Sequence, residues 1–496
     1  MHDNARGLAS FDHLVVLMLE NRSFDNLFGY LYEHDQPARF LGRGTPLFRG
    51  VAGRDDLWND DGRTPPTRVP VAKAAWQTPN DMCQPSPDPG EEYHPHVNRQ
   101  LYGQDDVPGD ARLLPDPAPM NGFVQDYIRA IGSQELWDGI PDDPAHYSRI
   151  MHCFPPEAVP VLSGLARAFA ISDEWHSSVP TQTWANRSFL HSGQSHGFVH
   201  NWDYLKWHRN RAPTVFERLG DALGPARGWR LYWDAQDLEP ITRFIHPQLR
   251  DRRHDANCRD FGAFAADCAR GDLPAYSFIQ PRLIVNHNDM HPPIVPNQWV
   301  HSSILAGELL VKEIYDALRT GPLWPRTLFV IVFDEHGGTY DHWPPPRTVP
   351  PTATPDYPLQ EGFQFNRLGV RVPALFISPH IAPGTVMRAR DAVPFDHTSV
   401  LRSICARWNL APLTDRDRQA PDFSHVLTLS DAEARLETPA VTARPYQPLT
   451  AAQAGEGLLG GMQKGLGHLI ADYLGKSLPH GIQRVGDLLH HLTSGK

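Results

Sequence analysis

The chain lacks metal-finger and redox spacings: its five cysteines, Cys83, Cys153, Cys258, Cys268 and Cys405, are scattered and form no CxxC pair. They read as reduced structural thiols. Basic excess is also missing, since the formal net charge is −11 and a generic nucleic-acid surface needs a basic footprint. No nucleic-acid partner is expected. No apolar run reaches the roughly 18 residues that a spanning helix requires, so a transmembrane segment is not expected either. The start, MHDNARGLASFDHL, has no basic region followed by an apolar run. It predicts no signal peptide and therefore a cytoplasmic location.

What is present suits a large folded enzyme. Hydrophobic residues make up 41% of the 496 and charged residues 21%, a balance that supports a sizeable core. Short apolar runs bounded by turn formers read as buried parallel strands at 14–19 (LVVLML), 168–172 (AFAIS), 275–279 (AYSFI), 328–333 (LFVIVF) and 374–378 (ALFIS). Helical patterns fall between them, notably at 302–320, where Ile304, Leu305, Leu309, Ile314, Tyr315 and Leu318 fit a buried face. The alternation predicts an α/β fold with a doubly wound, mostly parallel sheet, helices on both faces and long insertions. Residues 1–440 read as that domain and 441–496 as a linker and helical tail. In the tail Leu459, Met462, Leu466, Leu469, Ile470 and Tyr473 recur at helical spacing, which suits packing on the main domain or on a second subunit.

Such sheets bind ligands beyond the carboxyl ends of their strands. The first apolar run ends on Glu20 and Asn21, and LFVIVF ends on Asp334 and Glu335. A third segment, ISDEWHSSVPTQTWANRSFLHSG, breaks at Pro180 and predicts a helix starting between Thr181 and Trp184. Thr183 then lies near a helix N-terminus, where free N–H groups favour phosphate. Two or three acids, an amide and a hydroxyl make an oxygen-rich cage for one divalent cation, with calcium, magnesium or manganese favoured and zinc allowed. A cation-bound threonine hydroxyl can lose its proton and attack phosphorus.

LENRSFDNLFGYL, SSVPTQTWANRSFLHSGQSHG, FDEHGGTYDHWPPP and FDHTSVLRSI together resemble the bacterial phospholipase C and acid phosphatase family. That family is a branch of the alkaline phosphatase superfamily that also includes plant non-specific phospholipases C. The resemblance runs in order from about residue 10 to about residue 410. It implies that Glu20, Asn21, Asp334 and Glu335 bind metal and that Thr183 is the nucleophile, with Thr181 as its competitor. It also implies that His291 acts as general acid or phosphate ligand, with His342 in reserve. His397, Asn186, Glu91 and His94 are expected on the substrate side. The family often carries a histidine after Asp-Pro-Gly, whereas here PDPGEEYHPH puts Glu91 there. The implied activity is phosphodiester cleavage of the phospholipase C type, on a phosphate ester such as a phospholipid. A phosphomonoesterase and an idle phosphate-binding module are the alternatives.

Overall fold

The computed structural model describes residues 7–133, 142–201, 204–284, 286–293 and 302–448, and in the tail 450, 453, 455–456, 467–468, 470–471, 475–479 and 481–494. Nine strands form one sheet. In chain order they are β1 (His13–Leu19), β2 (Arg39–Leu41), β3 (Ala170–Ser172), β4 (Trp229–Trp233), β5 (Cys258–Asp260), β6 (Tyr276–Ile279), β7 (Thr327–Phe333), β8 (Ala374–Ile377) and β9 (Thr385–Met387). Across the sheet the order is β5, β4, β6, β1, β7, β8, β3, β9, β2.

At the centre, β1 and β7 lie parallel, in register from His13 opposite Thr327 to Leu19 opposite Phe333. Every residue of β7 and all of β1 after His13 is buried. Strands covered on both faces have no polar alternation, which is why these two appear in the sequence as unbroken apolar runs. Each such side chain contributes about 1.5–3 kcal/mol on burial, so the pair anchors the sheet. One expectation is corrected: β8 runs antiparallel to both β7 and β3. Between 334 and 374 the described chain carries only a short 3-10 turn and no crossover helix, so it returns in the opposite sense. The carboxyl end of β8 therefore points away from the edge where β1 and β7 end, and Arg371, ahead of β8, is what reaches that edge.

Six helices matter below: α1 (Phe24–Phe28), α2 (Pro160–Ala168), α3 (Thr183–Ser192), α4 (Ile304–Thr320), α5 (Thr398–Trp408) and α6 (Val485–Thr493). In α4, Ser303 caps the first turn by accepting from the N–H of Leu305. The buried stripe of α4 passes through Leu310 and Val311, and Leu309 is only half-buried. A second apolar cluster joins Trp184, Trp207 and Phe244 to Val485, Leu488 and Leu492 of α6. The tail thus buries part of its apolar face in its own chain. Ile470 belongs to the same cluster, whereas Leu459, Met462, Leu466, Leu469 and Tyr473 lie outside the described residues. None of the five cysteines forms a disulfide. Among the described residues no helix is long and apolar enough to cross a membrane.

Candidate active site

The parallel register of β1 and β7 sets the site. The N–H of Asp334 donates to the carbonyl of Leu19 at 3.0 Å, so Glu20–Asn21 and Asp334–Glu335 leave the sheet side by side. The backbone N–H of Asn21 then donates to Asp334 Oδ1 at 3.1 Å. Asn21 takes a left-handed conformation, φ +56°, which asparagine tolerates better than most residues. Gly337 packs on it so closely that a Cβ there would come within 2.5 Å of the Asn21 Cβ. Only glycine lets the two loops meet.

Thr183 opens α3, behind an N-cap at Gln182. Its Oγ1 is buried and has no hydrogen-bond partner. Thr181 differs, because its hydroxyl donates to the carbonyl of Val199 at 2.5 Å and accepts from the N–H of Tyr93 at 3.1 Å. Of the two threonines, only Thr183 has a hydroxyl left to react.

The same lack of partners recurs around it. Glu20 Oε2, Asn21 Oδ1, Asp334 Oδ2 and Glu335 Oε1 are all buried without a hydrogen bond. Buried oxygens in folded proteins are nearly always satisfied, and these hard oxygens, carried on the ends of two neighbouring strands, are donors of the kind that a divalent cation takes. Arg187, one turn into α3, supplies fixed positive charge: it lies 3.1 Å from Glu20 Oε1 and 3.4 Å from Asp334 Oδ2. Burial nonetheless dominates. It pushes Glu20 and Glu335 well above the usual carboxylate range and Asp334 up to about 6, with neighbouring acids adding to the effect and Arg187 opposing it at Glu20 and Asp334.

On the opposite side Glu91 joins the site. Its carboxylate accepts from the amide of Asn21 and from Gln182 Nε2, the latter at 3.2 Å. His291 stands 3.9 Å from Glu91 Oε2 through Nε2, and its Nδ1 is 2.5 Å from the carbonyl of Pro292. A carbonyl only accepts, so Nδ1 carries the hydrogen and Nε2 presents a lone pair. Burial also pushes His291 down to about 4. The expected general acid is thus a neutral acceptor. His287 is the imidazole held by a carboxylate, with Nδ1 2.8 Å from Asp289 Oδ2, and its ring centroid is 6.4 Å from that of His291.

Four expected residues stand elsewhere. His342 is 2.6 Å from Asp25 through Nδ1 and belongs to a separate ion network with Asp341 and Arg371. His94 turns outward to Asp106 at 2.9 Å, its own backbone departing from the helical conformation of the turn at 93–97. Asn186 spends its amide on the turn before α3, accepting from the N–H of Val179 and donating to the carbonyls of Thr181 and Gln182. It fixes the turn that carries Thr183. His397 braces the strand end, with Nε2 2.7 Å from the carbonyl of Asp334 and Nδ1 accepting from the indole of Trp175. Arg22 donates to the carbonyl of Met290 at 2.8 Å, tying the first strand end to the His291 loop. Sequence reasoning missed Asp88, Arg187, His287 and Asp289. The signal for Arg187 was the four-residue spacing that puts it on the face of Thr183.

The pattern that defines the Phosphoesterase family matches residues 11–411. The chain belongs to that family. It is accordingly a phosphoric ester hydrolase. Non-specific phospholipase C5 of Arabidopsis thaliana is 34% identical over 429 residues, covering 84% of this chain and 74% of the plant protein. The non-hemolytic phospholipase C of Pseudomonas aeruginosa is 23% identical, covering 82% of this chain and 55% of its own. Among solved structures, an alkaline phosphatase superfamily protein from Vibrio parahaemolyticus overlaps 53% of this chain and 64% of its own, at 12% identity and a TM-score of 0.32. The α/β fold assigned above rests on the strand order, not on that overlap.

Proposed function

We propose that this phosphoesterase cleaves phosphodiesters in the manner of a phospholipase C, through a covalent phosphothreonine at Thr183. The observation that carries the reading is the buried Thr183 Oγ1 without a hydrogen bond, on the helix whose Arg187 reaches Glu20 and Asp334, together with oxygens of Glu20, Asn21, Asp334 and Glu335 that likewise make none. Those side chains, with Thr183, would hold a divalent cation, calcium, magnesium or manganese by the hardness of the donors. When bound, it would lower the pKa of the hydroxyl and shield the phosphate charge.

The chain's own residues supply the rest. Thr183 Oγ1 attacks phosphorus at the start of α3, where the positive end of the helix dipole favours the phosphate charge. Arg187 steadies Glu20 and Asp334 so that the cage keeps its shape. Because His291 presents a lone pair, the proton for the departing alcohol oxygen is assigned to His287, ion-paired with Asp289. Water then hydrolyses the phosphothreonine, and two displacements leave phosphorus with net retention. Phospholipid is favoured as substrate by the plant and bacterial relatives, which are phospholipases C by name.

A panel of phosphatidylcholine, bis-nitrophenyl phosphate and nitrophenyl phosphate, assayed before and after chelation, tests the reading. Diester cleavage that chelator abolishes and metal restores is expected. Turnover of the monoester alone would make the protein a phosphomonoesterase. Binding without turnover under every metal would make it an idle phosphate-binding module.

A further inference from the structure

The geometry points to a second divalent-cation site next to the first, built by Asp88, Glu91 and Nε2 of His291. This inference rests on the metal-dependent reading above and extends it to residues outside the first cage.

The loop that carries Asp88 and Glu91 is held hard against the strand-end loop. The carbonyl of Gly90 accepts from Gln100 Nε2 at 2.7 Å. A Cβ on Gly338 would fall 2.6 Å from that carbonyl, so the two loops touch backbone to backbone. One ligand atom from each of Asp88, Glu91 and His291 lies within 4.8 Å of the others. The 3.9 Å between His291 Nε2 and Glu91 Oε2 is too long for a hydrogen bond. It accommodates an ion held by two bonds of about 2.1 Å. The Pro292 carbonyl, by taking the Nδ1 hydrogen, aims the lone pair of Nε2 at the gap.

Two further observations point to a ligand there. Asp88 Oδ1 is buried with no hydrogen-bond partner, and so is Oε1 of Glu335, a side chain with 0% exposure whose carboxylate adjoins that of Glu91. Glu335 is thus placed to bridge both ions, as carboxylates do in paired sites with ions about 3.5–4 Å apart. Charge argues the same way. Among the described residues, Glu20, Asp88, Glu91, Asp334 and Glu335 outnumber the guanidiniums of Arg187 and Arg22 beside them. A single dication leaves that edge negative where a phosphate anion must arrive, and a second makes it positive. The mixed nitrogen and oxygen donors suit manganese or zinc better than calcium.

Manganese titration of the chelator-stripped full chain, read by equilibrium dialysis and electron paramagnetic resonance, tests this. Two ions per chain with a spin-coupled signal are expected, and Asp88→Asn combined with Glu91→Gln should bind one ion and lose the coupling. If the double variant melts abnormally by circular dichroism, Asp88→Asn alone should weaken the second ion at least about tenfold. One ion in the wild type, unchanged in the variant, would overturn the second site and leave the first standing. Two coupled ions in both proteins would overturn the ligand assignment. No ion in the wild type would overturn both readings. One ion in each, with the variant losing affinity for phosphocholine but not for inorganic phosphate, would overturn the cation site and give the cluster to a cationic head group.

Discussion

Two buried acid clusters sit within a few residues of each other, and they are wired in opposite ways. In the first, Glu20, Asp334 and Glu335 each keep an oxygen without a hydrogen bond, with Arg187 as the guanidinium beside Glu20 and Asp334. In the second, Asp25 and Asp341 meet Arg371 and His342, and every carboxylate oxygen is used. Arg371 lies 3.0 Å from Asp25 Oδ1 and 2.9 Å from Asp341 Oδ1. His342 takes Asp25 Oδ2 through its ring and its N–H, and the Asp25 N–H takes Asp341 Oδ2. By distance alone Asp25, Asp341 and His342 could hold a metal, but a guanidinium already fills that role. The paired cluster clamps the segment after β1 to the segment after β7. The unpaired one is left for a ligand. Partner accounting, more than residue type, separates structure from chemistry here.

The largest effect should come from the unpaired side. Thr183→Ala should lower turnover of bis-nitrophenyl phosphate by about 10³-fold or more while leaving the fold and most metal binding intact, and Thr183→Ser should keep part of the activity. A chiral phosphodiester should show net retention. Net inversion, or near-normal turnover in Thr183→Ala, would assign attack to water and free Thr183 for another role.

Next comes the paired side. Arg371→Met strands two buried carboxylates and should cost roughly 3–5 kcal/mol of stability, read by urea unfolding. His342→Gln should be milder and should not alter the preference between activated and poor leaving groups, whereas His287→Gln should slow poor leaving groups selectively. Equal leaving-group effects from both would return His342 to the catalytic set.

The comparison sharpens when one acid is removed from each cluster. Asp334→Asn relieves crowded charge, so the metal-free protein should be as stable as wild type or more so, while metal affinity falls by about 10- to 100-fold. Asp25→Asn should do the reverse, destabilising the protein and leaving metal content unchanged. Calorimetry with and without metal separates the two.

The sequence carried the strand ends because burial on both faces writes them as apolar runs. Glu20, Asn21, Asp334 and Glu335 could therefore be placed at one edge before any coordinates. Composition carries no strand direction, so ALFIS was indistinguishable from its parallel neighbours. FDEHGGTYDH also hides a fork: Asp334 and Glu335 enter one cluster, and Asp341 and His342, past two positive-φ glycines, enter the other. The role of His291 turned on a single carbonyl, that of Pro292. Asp88 was invisible because Arg22 and His291 become its neighbours only through loop packing, and Asp289 because its partners, His287 and His291, lie with it in a loop that has no periodicity to read.

The smallest prediction concerns a third buried acid, outside both clusters. Glu308 on α4 accepts from the N–H groups of Val161 and Leu162 at 2.7 and 2.8 Å, capping the first turn of α2 from a neighbouring helix. Burial outweighs those hydrogen bonds and pushes its pKa up to about 8 from 4.5. The folded state therefore holds this proton more tightly than the unfolded state. The resulting stabilisation is complete below pH 4.5 and is lost as pH rises through about 8. Comparing pH 8.5 with pH 6, wild type should melt roughly 2 °C lower at the higher pH than its other groups dictate. Glu308→Gln, which cannot ionise, should remove that increment and narrow the difference between the two melting temperatures. An unchanged difference would mean that the two N–H groups hold Glu308 as a carboxylate throughout, making it a charged cap of α2.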